Sequence, residues 1–252
     1  MTPQQSSDIR AMEKTCRLAA ETLYYTAKFV KSGVTTNELD KIAHDYILSK
    51  GATPSPLGYH GYPKSICTSV NDVVCHGLPD ETVLTEGDAI NLDVTTYLGG
   101  FHGDTSATFY VGEVSERVRK VTDCAREAMM RGIEAITPKG FTGDIGFATN
   151  KLVTRQGYYV VRDIGGHGIG RKFHTDPFVP AFGKKGKGEV LKPFHCITVE
   201  PMVNETDAPI REISIPKSDI KVYRTGDKTL SAQFEHTVLI TDKGYEILTL
   251  AP

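Results

Sequence analysis

Tryptophan is absent from this chain, and so is any long apolar run. No stretch approaches the ~18 consecutive apolar residues of a membrane-spanning helix. The first ten residues are polar and lack the apolar segment of a secretory signal. Cysteine is sparse: Cys16, Cys67, Cys75, Cys124 and Cys196 are scattered, with no Cys-x-x-Cys pair among them. That spacing excludes a zinc knuckle and a thioredoxin-type motif. Excess charge is missing too. A net charge of -2 and a pI of about 6.4 give no global attraction to nucleic acid or anionic membrane, although a local basic patch stays compatible with them. What remains is ordinary globular composition, 39% hydrophobic and 24% charged over 252 residues, enough to bury a core without disulfides or a structural metal. The chain reads as a soluble protein of a reducing compartment, cytoplasmic, with one domain over residues 1–252.

Apolar residues Ile9, Met12, Cys16, Ala19, Leu23, Ala27 and Val30 recur at three- and four-residue steps, which predicts an amphipathic helix over 8–32 stopped by Gly33. Thr35 and Glu38 form a capping-box signature that opens a second helix, closed at Gly51. The plan then repeats. A helix from about Ser115 to Ile133 precedes Pro138-Lys139-Gly140, and Thr142 opens a shorter helix ending at Gly157. Gly33-Val34-Thr35 returns as Gly140-Phe141-Thr142, an offset of 107. At the same offset, Ala89–Val94 aligns with Cys196–Pro201 and places Asp93 against Glu200. Each half adds a second strand, Asp104–Phe109 and Glu235–Leu239. Pseudo-repeat halves of about 8–111 and 115–250 follow.

Aspartate is disfavoured inside strands, yet Asp93 interrupts an alternating apolar pattern. A two-residue hairpin turn at Gly99-Gly100 puts Asp104 opposite Thr95, and therefore on the face of Asp93. Two unbridged carboxylates on an inner face are costly, and a metal ion relieves that cost. Applying the repeat places Glu200 and Glu235 in an equivalent hairpin, so four acids face one another as a two-metal site.

Histidines gather near glycines. His167 lies within Gly165-Gly166-His167-Gly168-Ile169-Gly170, His174 follows in Arg171-Lys172-Phe173-His174, and His76 ends the apolar run Val73-Val74-Cys75. The glycine stretch lacks the helix and downstream acid of a nucleotide-binding loop. His44 and His195 read as structural. His60, His102 and His236 stay undecided.

Seven stretches carry a resemblance across nearly the whole chain, from about Ile9 to Leu250. They are Tyr59–Ser65, Asn71–Gly77, Asn91–Val94, Phe101–Thr105, Gly166–Gly170, Glu200–Val203 and Gln233–Thr237. In combination they resemble the type I methionine aminopeptidases. The resemblance implies an α+β "pita-bread" fold, a pseudo-twofold sandwich of helices around an antiparallel sheet with a central dinuclear metal site. It implies Asp93, Asp104, His167, Glu200 and Glu235 as ligands of two divalent ions (Mn, Fe, Co or Zn), with Glu200 also the proton shuttle. His76 and His174 would hold substrate and take part in catalysis. Tyr59, Tyr62, Cys67 and Phe173 would wall a methionine pocket, and Asn71, Val73 and Ser231 would hold a monovalent cation such as Na or K. Pro56 stands where a cysteine is common, and Lys221 occupies a lid position that is often tryptophan. The implied activity is removal of the N-terminal methionine from nascent polypeptides, preferring a small second residue. The implied enzyme is a monomer in transient contact with the ribosome, with no membrane and no nucleic acid as substrate.

Two rivals carry distinct expectations. A proline-specific peptidase of the same fold is usually longer, with an additional N-terminal domain. A non-catalytic binding module for RNA or peptides loses metal ligands, whereas all five are present here.

Overall fold

The computed structural model describes residues 1–251. Helix α1 runs Pro3–Ala27, starting earlier than periodicity suggests because Thr2 and Gln5 form a reciprocal capping box ahead of Pro3. It also ends five residues short of the expected limit. Phe29 and Val30 bond to carbonyls three residues back, Thr26 and Ala27, so the last turns tighten and leave the α-helical path. Helix α2 spans Thr36–Ser49 with the Thr35–Glu38 box as read from sequence. Helix α3 covers Glu116–Glu134 behind Ser115. Helix α4 covers Thr142–Arg155, and Thr142 lies inside it. The cap position belongs to Phe141, whose N–H donates to the Asp144 carboxylate at 2.9 Å.

A nine-stranded sheet forms the frame. Its main path runs Thr53–Pro54, Ala89–Leu98, Phe101–Tyr110, Glu235–Ile240, Cys196–Val199, Gly166–Ile169 and Thr175–Val179. Every pairing is antiparallel, and the sheet curls into a half-barrel flanked by the helices. Gly99 and Gly100 both take positive φ, 63° and 87°, which a tight hairpin turn requires. That turn puts Thr95 opposite Asp104 and Asp93 opposite Ser106, the register expected from the sequence. The second half differs. Val199 pairs with His236, so extending that register places Glu200 directly across from Glu235 rather than diagonally. No tight hairpin joins those strands. The intervening segment instead folds an arm, Ile210–Ser214 paired with Lys221–Thr225, which docks on strand Val73–Cys75.

The two halves meet where Phe101–Tyr110 pairs with Glu235–Ile240, Ser106 against Glu235. Beneath that seam Phe234 touches all three largest apolar clusters. One is built on Leu39, Ile90 and Leu92, one on Ala125 and Val153, and one on Ile133 and Ile197. Gly103 lets α1 lie close on the sheet, since a Cβ there would meet the backbone of Thr15 and Cys16.

Candidate metal centre

Asp93 and Asp104 project from one hairpin, Glu235 opens the strand beside it, Glu200 follows strand Cys196–Val199, and His167 sits in strand Gly166–Ile169. All five line a single cavity of about 170 Å³, together with His76, His174, Tyr59, Tyr62, Cys67 and Phe173. One oxygen each of Asp104 and Glu235 and one nitrogen of His167 lie within 4.8 Å of one another. Metal–ligand bonds of about 2.1 Å separate two donors on one ion by up to about 4.2 Å, so a small contraction brings these three onto a common ion.

Burial shapes the protonation of every group. It raises Asp104 to about 7, against the lowering hydrogen bonds of Thr95 and the Thr105 N–H. Burial, then the charge of Asp104, raises Glu200 to about 8. Asp93 and Glu235 are pushed well above the usual carboxylate range by burial and by the neighbouring acids. A cation reverses that repulsion. Glu235 Oε1 is buried with no hydrogen-bond partner, and such an orphaned oxygen is costly unless something positive meets it.

The histidines are held neutral. Burial lowers His167 to about 4 and His174 to about 3, and it lowers His76 as well. Where the Nδ1 partner is a backbone carbonyl, it assigns the ring proton. His167 Nδ1 donates to the Gly168 carbonyl at 3.1 Å, which leaves Nε2 as a lone pair 3.8 Å from Asp104 and 3.6 Å from Glu200. That is the form a metal-ligating imidazole needs. His76 Nδ1 donates to the Lys221 carbonyl at 3.3 Å, so its Nε2 is an acceptor. Tyr59 Oη lies 2.9 Å from His174 Nδ1; a hydroxyl donating there leaves the His174 Nε2–H free as a donor.

Several residues that orient the site escape sequence reading. Thr95 Oγ1 donates to Asp104 Oδ1 at 2.6 Å, and Thr198 Oγ1 donates to Glu200 Oε1 at 2.8 Å while accepting the His167 N–H. Gln233 Nε2 donates to Glu200 Oε2 at 3.2 Å. Alternation is the available signal for Thr95 and Thr198, Thr95 lying two residues from Asp93 on one strand and Thr198 two residues before Glu200, which follows its strand. The wall also takes Pro56, Ile164, Gly165 and Ile220. From the arm, Ile220 rather than Lys221 contacts the cavity, while Lys221 Nζ turns to Ser214 Oγ at 3.0 Å. Tyr62 spends its hydroxyl on the Gly77 and Ile66 carbonyls and offers only its ring.

Asn71, Val73 and Ser231 lie outside the cavity wall. The Asn71 carbonyl accepts the Ser231 N–H at 2.9 Å, and Ser231 Oγ is buried without a partner. Asn204, its cross-strand neighbour, likewise has an unpartnered Oδ1. Of the remaining histidines, His44 bonds Ser65, His236 bonds Thr249, and His102 bonds Ser55 while stacking on Phe173.

A curled sheet with buried acids and a neutral imidazole around one cavity defines a metal-dependent hydrolase. Metallopeptidase family M24 matches residues 10–242. The methionine aminopeptidase of Rickettsia prowazekii is 46% identical over 245 residues, covering 97% of this chain and 93% of that one. The methionine aminopeptidase of Escherichia coli is 45% identical, covering 96% and 91%. The crystal structure of the Rickettsia prowazekii protein superposes with a TM-score of 0.94 over 97% of this chain and 98% of that one, at 44% identity. A prolidase from Pyrococcus furiosus shares the fold at a TM-score of 0.77, with 21% identity and coverage of 98% and 64%. The chain belongs to metallopeptidase family M24, among its type I methionine aminopeptidases. It is a metal-dependent exopeptidase acting on N-terminal residues of peptides. No described helix is long and apolar enough to cross a membrane.

Proposed function

We propose that this protein removes the N-terminal methionine from nascent polypeptides whose second residue is small, working as one monomeric cytoplasmic unit with two divalent ions. The observation that carries the proposal is the convergence of Asp93, Asp104, His167, Glu200 and Glu235 on one buried cavity beside an aromatic pocket. Asp104, His167 and Glu235 would share one ion, with Asp93 and Glu200 completing the pair. Mostly carboxylate ligands with a single imidazole suit Mn(II), Fe(II), Co(II) or Zn(II). When bound, these ions supply Lewis acidity that activates water near neutral pH and polarises the substrate carbonyl.

The chain's own groups do the rest. Glu200, steered by Thr198 and Gln233, takes a proton from the attacking water and delivers it to the leaving amine. His174 donates from Nε2 to the carbonyl oxygen as charge grows there, and Tyr59 sets that tautomer. His76 accepts the scissile amide N–H on Nε2, because Nδ1 is committed to Lys221. Tyr59, Tyr62, Cys67 and Phe173 receive the methionine thioether, which packs well against ring edges. The buried Ser231 Oγ beside the Asn71 carbonyl supports a monovalent-cation site there, with Val73.

Elemental analysis coupled to a peptide series tests the reading. Chelated protein should be inactive, Mn(II) or Co(II) should restore it, and Met-Ala-Ser should outrun Met-Leu-Ser at least tenfold. Faster cleavage of Xaa-Pro bonds than of Met-Ala would move the assignment to a prolidase-type activity.

A further inference from the structure

A second groove of about 530 Å³ lies between α3 and α4 and shares no lining residue with the catalytic cavity. Lys151, Arg155 and Lys185 line it, and Phe147 stands in it 41% exposed. Beside it the loop Gly183-Lys184-Lys185-Gly186-Lys187-Gly188 presents three exposed lysines. Residues 137–192 carry ten Lys and Arg against four Asp and Glu, in a chain whose net charge is -2. At the groove and its loop Lys151, Arg155, Lys184, Lys185 and Lys187 gather, whereas Arg171 of the same stretch pairs with Asp8 elsewhere on the surface.

The loop is anchored rather than free. Gly186 N–H donates to Asp144 Oδ1 at 2.7 Å, Gly143 N–H to the Lys187 carbonyl at 2.9 Å, and Glu189 N–H to Thr142 Oγ1 at 3.2 Å. A Cβ on Gly143 would collide with the Lys184 and Lys187 carbonyls, so the glycine lets the lysine loop seat on the start of α4. Of the acids at the groove, Asp144 is committed to the Phe141 and Gly186 N–H groups and Glu134 to Arg131 at 2.7 Å. Among the described residues, Lys151, Arg155, Lys184, Lys185 and Lys187 have no acidic partner within ion-pair distance. The helix end is not the anion site, since the loop already occupies its Gly143 N–H.

Unpaired cations on a pinned scaffold repel one another, and a polyanion with regularly spaced charges relieves them. An exposed aromatic ring among the cations adds a platform on which an unpaired base stacks, which carboxylate side chains by themselves do not exploit. We infer that the α3–α4 groove and the Lys184–Lys187 loop bind single-stranded RNA, through backbone phosphates and one base stacked on Phe147. The site is independent of the catalytic reading, because none of its residues touches the cavity.

The test is fluorescence anisotropy with a labelled, unstructured 12-nucleotide RNA and the full-length metal-loaded enzyme. Binding through four phosphates should weaken about 50-fold between 50 and 200 mM salt, from a slope of about -0.7 per contact. The variant Lys184→Glu/Lys185→Glu/Arg155→Glu should lose at least tenfold in affinity while hydrolysing Met-Ala-Ser at the wild-type rate, which also shows that it folds. Phe147→Ala should lose about fivefold or more with the salt slope unchanged. Binding undetectable at 100 µM protein in 50 mM salt, or a charge-reversed variant that binds like wild type, overturns the proposal. So does polyglutamate of equal charge binding as tightly as RNA, or anionic vesicles retaining the protein when RNA does not.

Discussion

Asp104→Asn tests the electrostatics of the metal centre through stability rather than turnover. In the metal-free chain, burial raises Asp104 from 3.8 to about 7. Between those values the folded state holds a proton that the unfolded state has released. Its stabilising contribution is therefore full below pH 3.8 and is lost as pH rises through about 7. Each unit of pKa difference corresponds to about 1.4 kcal/mol, so going from pH 5 to pH 8 removes about 3 kcal/mol from wild type. Asparagine stays neutral throughout and loses none of it, and its carbonyl still accepts the Thr95 hydroxyl. Buried histidines act in the opposite sense: His167 and His174, lowered to about 4 and about 3, cost stability as pH falls. Their contribution cancels when the variant is compared with wild type at each pH. Asp104 also raises Glu200 and Glu235, so removing its charge adds relief in the same direction. With chelator present, Asp104→Asn should gain about 3 kcal/mol on wild type between pH 5 and pH 8. In a chain of this size that is roughly 6–12 °C in Tm. Excess Mn(II) should invert the ranking, because an amide is a poorer ligand than a carboxylate. Reversible urea unfolding at the two pH values, with and without metal, measures each term. A variant-minus-wild-type difference that is the same at pH 5 and pH 8 in chelator would refute the reasoning.

Other substitutions separate roles within the site. His76→Ala should keep its metal by elemental analysis and lose two to three decades of kcat, roughly 3–4 kcal/mol of transition-state stabilisation. Glu200→Gln should lose both metal content and turnover, and retention of both by this variant contradicts its dual role. Tyr59→Phe removes the hydroxyl that orients His174; a drop of about tenfold or more in kcat with KM little changed is expected, and unchanged kcat would free His174 from that control. Thr198→Val leaves Glu200 Oε1 and the His167 N–H without their shared partner, so it should weaken metal binding about tenfold or more by competition with a fluorescent chelator; wild-type affinity would show that the threonine orients neither ligand.

Short-range chemistry made part of this protein legible. Thr35 with Glu38, and Ser115, mark helix starts because their side chains answer backbone N–H groups within three residues. Gly99-Gly100 accept positive φ and so set the register of one hairpin, which puts Asp93 and Asp104 on one face before anything else is known. Motif resemblance supplied the remaining candidates, but not their geometry. Glu200 and Glu235 are 35 residues apart in sequence, and only strand pairing across that connection makes them direct neighbours. The Nδ1 partners of His76 and His174, Lys221 and Tyr59, lie 145 and 115 residues away along the chain. Folding of the Ile210–Thr225 arm and seating of the Lys184–Lys187 loop on α4 likewise rest on packing between remote segments. Capping and turn formation are settled within a few residues. Pairing register, buried charge and tautomer are settled by what the rest of the chain brings alongside, and only the tertiary structure decides that.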